Sequence, residues 1–291
     1  MKTKNVEIVV SPREPHFVGD GFRVHNFIPS AYRMDMQSMD PFIMFDYNSK
    51  YNFPPSEIPR GVGVHPHKGF ETVTIAYKGR VEHGDSSGGG GIIGEGDVQW
   101  MTAGSGVLHK EFHETEWSRE GGLFQMIQLW VNLPAKDKST APKYQALSNA
   151  AIARHLLDDN KGYVEVIAGS FQETNGVAST FTPIEMYNLK ATAGAEVEFT
   201  IPAAYNTFVL VLEGHITINH KDAVAVDHLA LMANNGNDFT ISVDEDAVVF
   251  IAGGQPIHES IVHYGPFVMN TEQEIEEAIA EFQTGKYGHL N

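Results

Sequence analysis

The stretch Gly61–Glu116 opens with GVGVHPHKGFETVTI (residues 61–75), passes a glycine-rich turn, and closes with QWMTAGSGVLHKEFHETE (residues 99–116). His65 and His67 stand two apart, and His109, Glu111 and His113 repeat that spacing. Successive side chains on a β-strand point to opposite faces, so residues at i and i+2 share a face and can converge on one point. Two such strands facing each other would assemble a four-ligand metal site. All five side chains are candidate ligands.

Working outward, TVTIAYKG reads as a strand of β-favouring residues that ends in a glycine turn, with RVEHGDS as its expected partner and SSGGGG as the loop tip. The run Gly88–Gly91 lacks the Gly-Lys-Ser/Thr that a phosphate loop needs, and no helical pattern follows it. His83 and Asp85, just before that run, read as turn residues. LFQMIQLWVNLP is a further strand, stopped by Pro134. The first sixty residues (VEIVV, FRVHNFIPS, MDPFIMFDYNSKYNFPPSEIP) are strands and loops punctuated by proline, and His16 and His25 there read as surface or packing histidines. Many short strands separated by glycine turns predict an all-β chain built as closed or double-sheet barrels.

Composition narrows the function classes. The 291 residues suffice for two domains, each with its own core. There is no cysteine, so disulfides, thiolate catalysis and cysteine-bound zinc are excluded, and any metal must sit on nitrogen and oxygen. Twenty Lys+Arg against 37 Asp+Glu give a net charge of -17, which disfavours direct binding to nucleic acid. No apolar run reaches membrane-spanning length and no cleavable leader pattern opens the chain, so a cytoplasmic protein without a membrane partner is expected.

HPHKGFETVT, GDVQWMTAGSGVLHKE, QLWVNLP and the later GPFVMNT resemble the pirin family, two-domain members of the cupin superfamily, and the resemblance runs from about Phe22 to Gly285. It implies two jelly-roll β-barrels packed together, with one metal in the N-terminal barrel held by His65, His67, His109 and Glu111. The polar stretch 135–162, poor in β-favouring runs, reads as a linker that divides residues 1–134 (metal-binding barrel) from 163–291 (degenerate barrel with a terminal helix). The resemblance further implies Fe(II), although three imidazoles and a carboxylate also suit Mn, Co, Ni, Cu or Zn. The activity implied is that of a quercetin 2,3-dioxygenase, which cleaves an oxygenated aromatic flavonol with O₂ and releases carbon monoxide, with Glu111 as general base. The alternative within the family is an iron-binding, redox-sensitive regulator of a transcription factor or metabolic enzyme, whose acidic surface meets a protein partner.

The chain offers six candidates for four ligand positions. Glu71 shares the parity of His65 and His67 if the strand is continuous, but lies about 13 Å from His67 at 3.3 Å per residue. Glu111, two residues from His109, needs no such reach. Glu71 and His113 are therefore expected around the ligands rather than among them. In the C-terminal half no H-x-H pairs with a later H-x-E, and His215 and His220, five apart, face opposite sides. Thr271 and Glu274 form the pattern of a capping box, and Ile275, Ala278, Ile279 and Phe282 lie at helical spacing, with Gly285 marking the end.

Overall fold

The computed structural model describes residues 2–290, which form two compact β units. One consists of Arg13–Asn149 with the chain from Ile257 onward; the other consists of the chain up to Pro12 with Ala150–Pro256.

In the first unit a seven-stranded sheet runs in the order Lys143–Leu147, Val98–Thr102, Phe70–Lys78, Gly122–Asn132, Phe42–Phe53, Phe22–Ile28, His16–Val18. A four-stranded sheet runs Gly61–His67, Val107–His113, Val81–Asp85, Gly90–Ile93. Their burial differs. Phe70–Lys78 is buried at every position except Lys78, as a central strand covered on both faces must be. Val107–His113 alternates buried and half-buried, so Val107, His109, Glu111 and His113 share the inner face.

Two glycines set this arrangement. Gly79, at φ +85°, turns the chain out of the larger sheet, and a Cβ there would stand 2.7 Å from the Phe124 ring. Val81–Asp85 consequently pairs with Val107–His113 and Gly90–Ile93, and not with the preceding strand as its sequence proximity predicts. Gly69, at φ +88°, lies against the Val268 carbonyl, where a Cβ would come within 2.0 Å, and it separates Gly61–His67 from Phe70–Lys78. Side-chain parity therefore does not carry from His67 to Glu71.

The second unit repeats the pattern with a seven-stranded and a four-stranded sheet. Its interior is filled by apolar side chains such as Val166, Tyr187, Phe199, Val211, Ile241 and Ile251. Val6–Val10 is one edge strand of its larger sheet, paired with Leu229–Met232. The segment read as a linker supplies an edge strand to each unit, Lys143–Leu147 to the first and Ala153–Leu156 to the second.

The helix Glu272–Gln283 has the capping box formed by Thr271 and Glu274. It belongs to the first unit, where Ile275 and Ala278 cluster with Phe267, Met269 and Tyr287. Burial of a side chain such as Ile275 stabilises by about 2 kcal/mol. A second, shorter helix, Thr115–Glu120, is capped by the Glu114 carboxylate, which accepts from the Glu116 and Trp117 amides. Among the described residues no helix is long and apolar enough to cross a membrane.

Candidate metal centre

The pairing of Gly61–His67 with Val107–His113 sets His109 directly opposite His65 and Val107 opposite His67. The result is a cluster of three imidazoles, with ring centroids 4.2 Å apart for His65 and His109, 4.5 Å for His67 and His109, and 4.8 Å for His65 and His67. One nitrogen from each lies within 4.8 Å of the others. The Nε2 atoms of His65 and His109 are 2.8 Å apart. Two nitrogen ligands held at right angles around one ion, each at about 2.1 Å, stand about 3 Å apart, so this spacing fits a shared metal.

The ring hydrogen bonds agree with that use. His65 Nδ1 donates to the Gly63 carbonyl at 2.8 Å, which leaves the Nε2 lone pair free to ligate. His109 Nδ1 lies 3.0 Å from His83 Nε2. His67 has a buried Nδ1, and the lowering effect of burial on its pKa outweighs the raising effect of the Pro266 carbonyl beside its ring. Burial lowers the His65 pKa, and burial reinforced by the neighbouring imidazoles holds His67 and His109 well below the ordinary histidine range. The neutral form, which has a lone pair to give, is thereby favoured.

Glu111 lies on the same face as His109, but a bulge between them shifts its register opposite Val62. Its carboxylate is outside the three-imidazole group. Oε2 accepts from Gln128 Nε2 at 2.8 Å, and Thr74 Oγ1 is 3.4 Å from Oε1. Burial pushes its pKa up to about 7, against the lowering effect of those two donors. Glu111, His65 and His67 all line a cavity of about 430 Å³ whose walls include Phe22, Val24, Met126 and Trp130. A concave, mainly apolar space with a few convergent polar groups is the usual form of a small-molecule site.

The remaining candidates lie elsewhere. Glu71 alternates out of phase with Thr72 and Thr74, so it faces away from the cavity, where Thr102 Oγ1 donates to it at 2.7 Å. His113 is enclosed by Phe22, Phe53, Trp117 and Phe124, and its Nε2 donates to the Gly21 carbonyl at 2.8 Å. Burial pushes its pKa down to about 4. A histidine whose folded pKa lies below its unfolded value contributes stability at neutral pH that is lost as pH falls from about 6.5 towards 4, because the unfolded chain takes up the proton first. That window is worth about 3 kcal/mol. Chemical unfolding at pH 7.5 and 5 should therefore show a pH slope that His113→Phe flattens; an unchanged slope would remove His113 as its source.

His83, read from sequence as a turn residue, sits within the strand Val81–Asp85 with its ring stacked on Tyr144 and its Nε2 beside His109. The usable signal was the alternation Val81, His83, Asp85, which matches that of Val107, His109, Glu111. Asp85 does serve the turn, accepting from the Ser87 and Gly89 amides.

One barrel that carries three convergent imidazoles and a second with an apolar interior define a two-domain cupin in which, among the described residues, His65, His67 and His109 form the one metal-capable group. The pirin profile matches residues 21–131 and the pirin C-terminal cupin domain matches residues 186–288, so the chain belongs to the pirin family. It is 42% identical over 272 residues, 94% of each chain, to a Pseudomonas aeruginosa protein named "Putative quercetin 2,3-dioxygenase". It is 36% identical to a pirin-like protein of Solanum lycopersicum, across 93% of this chain and 88% of that one. A crystal structure of quercetin 2,3-dioxygenase from Acinetobacter baumannii superposes with a TM-score of 0.92 at 45% identity, covering 99% of both chains. A bacterial pirin from Escherichia coli, solved in complex with nickel(II), shares the fold at TM-score 0.63 and 19% identity, over 86% of this chain and all of that one.

Proposed function

We propose that the protein is a metal-dependent dioxygenase of the pirin type that cleaves a flavonol such as quercetin with O₂ and releases carbon monoxide. The observation that carries this reading is a cluster of three imidazoles, two of which, His65 and His67, share the wall of one mainly apolar cavity with the Glu111 carboxylate. The likeness to proteins named for this activity supports it.

His65, His67 and His109 would hold the ion, with Glu111 as the fourth ligand, and Fe(II) is the ion we assign. When bound, the ion supplies Lewis-acid stabilisation of the deprotonated substrate oxygen. Glu111 takes the proton from the flavonol hydroxyl, as a carboxylate at the edge of the ion can within hydrogen-bond reach. Gln128 holds Glu111 Oε2 and so aims the carboxylate. Phe22, Val24, Met126 and Trp130 receive the aromatic body of the substrate and exclude water. Both oxygen atoms enter the product, and one ring carbon leaves as carbon monoxide.

The test is oxygen uptake with quercetin by protein loaded with Fe(II) under nitrogen, beside Glu111→Gln. The wild type should consume one O₂ and release one carbon monoxide per quercetin. Glu111→Gln should lose at least about a hundredfold in turnover, the general-base contribution. No oxygen uptake by protein that holds one iron per chain would reject the dioxygenase reading, and full turnover by Glu111→Gln would reject the base.

A further inference from the structure

We propose that Asn48, at the far end of the cavity, and Asp46, in the row before it, form a polar recognition subsite that selects aromatic ligands carrying hydroxyl groups beyond those directed to the imidazole cluster. The proposal deepens the flavonol reading above and rests on it.

The strand Phe42–Phe53 turns Met44, Asp46 and Asn48 to the cavity, in cross-strand register with Trp130, Gln128 and Met126. The Trp130 ring lies against His67, with centroids 5.1 Å apart. The row Met44–Trp130 therefore marks the imidazole end, and Asn48 lies four residues further along the strand, about 13 Å away. A ligand that reaches both ends is an extended, multi-ring molecule.

Asn48 is 2% exposed, and neither its amide nitrogen nor its amide oxygen has a hydrogen-bond partner in the protein. A buried polar group left unsatisfied is costly, and an isolated pair on one side chain facing a cavity calls for a partner inside that cavity. The amide presents two N–H donors and a carbonyl acceptor. A phenolic hydroxyl both donates and accepts, and two adjacent hydroxyls can meet the amide nitrogen and oxygen at once.

Asp46, in the row of Gln128, extends the subsite from Asn48 towards the imidazoles. Its Oδ1 accepts from Asn26 Nδ2 at 2.7 Å, which fixes the carboxyl. Across the strand Gln128 commits its amide to Glu111, so it does not compete for that group. Burial raises the Asp46 pKa to about 6, and the ionised form at neutral pH accepts strongly from a hydroxyl.

The experiment compares quercetin with 3-hydroxyflavone, which keeps the metal-directed hydroxyl and carbonyl but has no other hydroxyl group. Affinities are measured by anaerobic titration of the full-length, Fe(II)-loaded protein, so that no turnover intervenes. The wild type should bind quercetin at least tenfold more tightly than 3-hydroxyflavone. Asn48→Leu, close in shape and without hydrogen-bonding groups, should reduce that ratio at least tenfold, and Asp46→Asn should reduce it in a protein of unchanged side-chain shape. Equal binding of the two ligands by the wild type, or a ratio that survives both substitutions, overturns the subsite and leaves the flavonol reading standing. If the loaded wild type binds neither ligand, the flavonol reading fails and the subsite falls with it.

Discussion

His109→Ala is expected to abolish stoichiometric metal binding: after loading and dialysis the variant should retain less than a tenth of the metal held by the wild type. His109 is the most enclosed of the three imidazoles, and its Nε2 stands 2.8 Å from that of His65. If Glu111 completes the set as proposed, a site whose binding free energy is about 10–16 kcal/mol would derive about 3–4 kcal/mol from each of four ligands, so loss of one would weaken affinity by about a hundred- to a thousandfold. His83→Leu provides a graded comparison. It leaves every ligand in place but removes the ring nitrogen 3.0 Å from His109 Nδ1, so His109 loses the group that holds its orientation and tautomer. The expected loss is about tenfold, the lower end for a residue that positions a ligand. Both values follow from competition titrations against a chelator of known affinity. Retention of wild-type affinity by His109→Ala would displace the centre from this cluster, whereas equal affinity of His83→Leu and wild type would confine His83 to packing.

The imidazole cluster was legible because strand alternation has a period of two residues and the spacings His65–His67 and His109–Glu111 obey it. The terminal helix was legible for an equally local reason, since Thr271 and Glu274 form the capping box that their spacing predicts. What failed was continuity. Gly69 interrupts the strand that was read as running from His65 to Glu71, and with the interruption Glu71 passes to the other face of a sheet. Gly79 likewise sends Val81–Asp85 to a different sheet from Phe70–Lys78, which is how His83 reaches His109. A glycine in a run of strand residues marks a turn, but whether the chain then folds back or changes sheet depends on partners distant in sequence. The same applies to the chain ends. The pairing of Val6–Val10 with Leu229–Met232, and of Lys68 with Phe267, joins residues about two hundred positions apart and leaves no periodicity to read.

Lys138 supplies the largest expected effect on stability. It is 2% exposed, and its Nζ donates to three oxygens: Gly69 O at 2.8 Å, Asn132 Oδ1 at 2.7 Å and Val268 O at 2.9 Å. An ammonium has three donors and no acceptor, so this group is fully satisfied, and each acceptor receives a charge-assisted bond. Lys138→Met keeps the length of the side chain and removes all three donors, leaving buried oxygens that the surrounding strands cannot turn to water. At about 1–3 kcal/mol for each unsatisfied group, partly offset by no longer burying a charge, the net cost is about 3–5 kcal/mol. Because the Gly69 turn lies two residues after His67, the loss should also reach the metal centre, and the variant should bind metal more weakly as well as unfold earlier. Calorimetry of the metal-free protein and metal titration of the folded variant separate the two effects. A metal-free variant within 1 kcal/mol of the wild type would show that the three bonds only balance the cost of burying the charge, and unchanged metal affinity would show that Gly69 keeps its conformation without them.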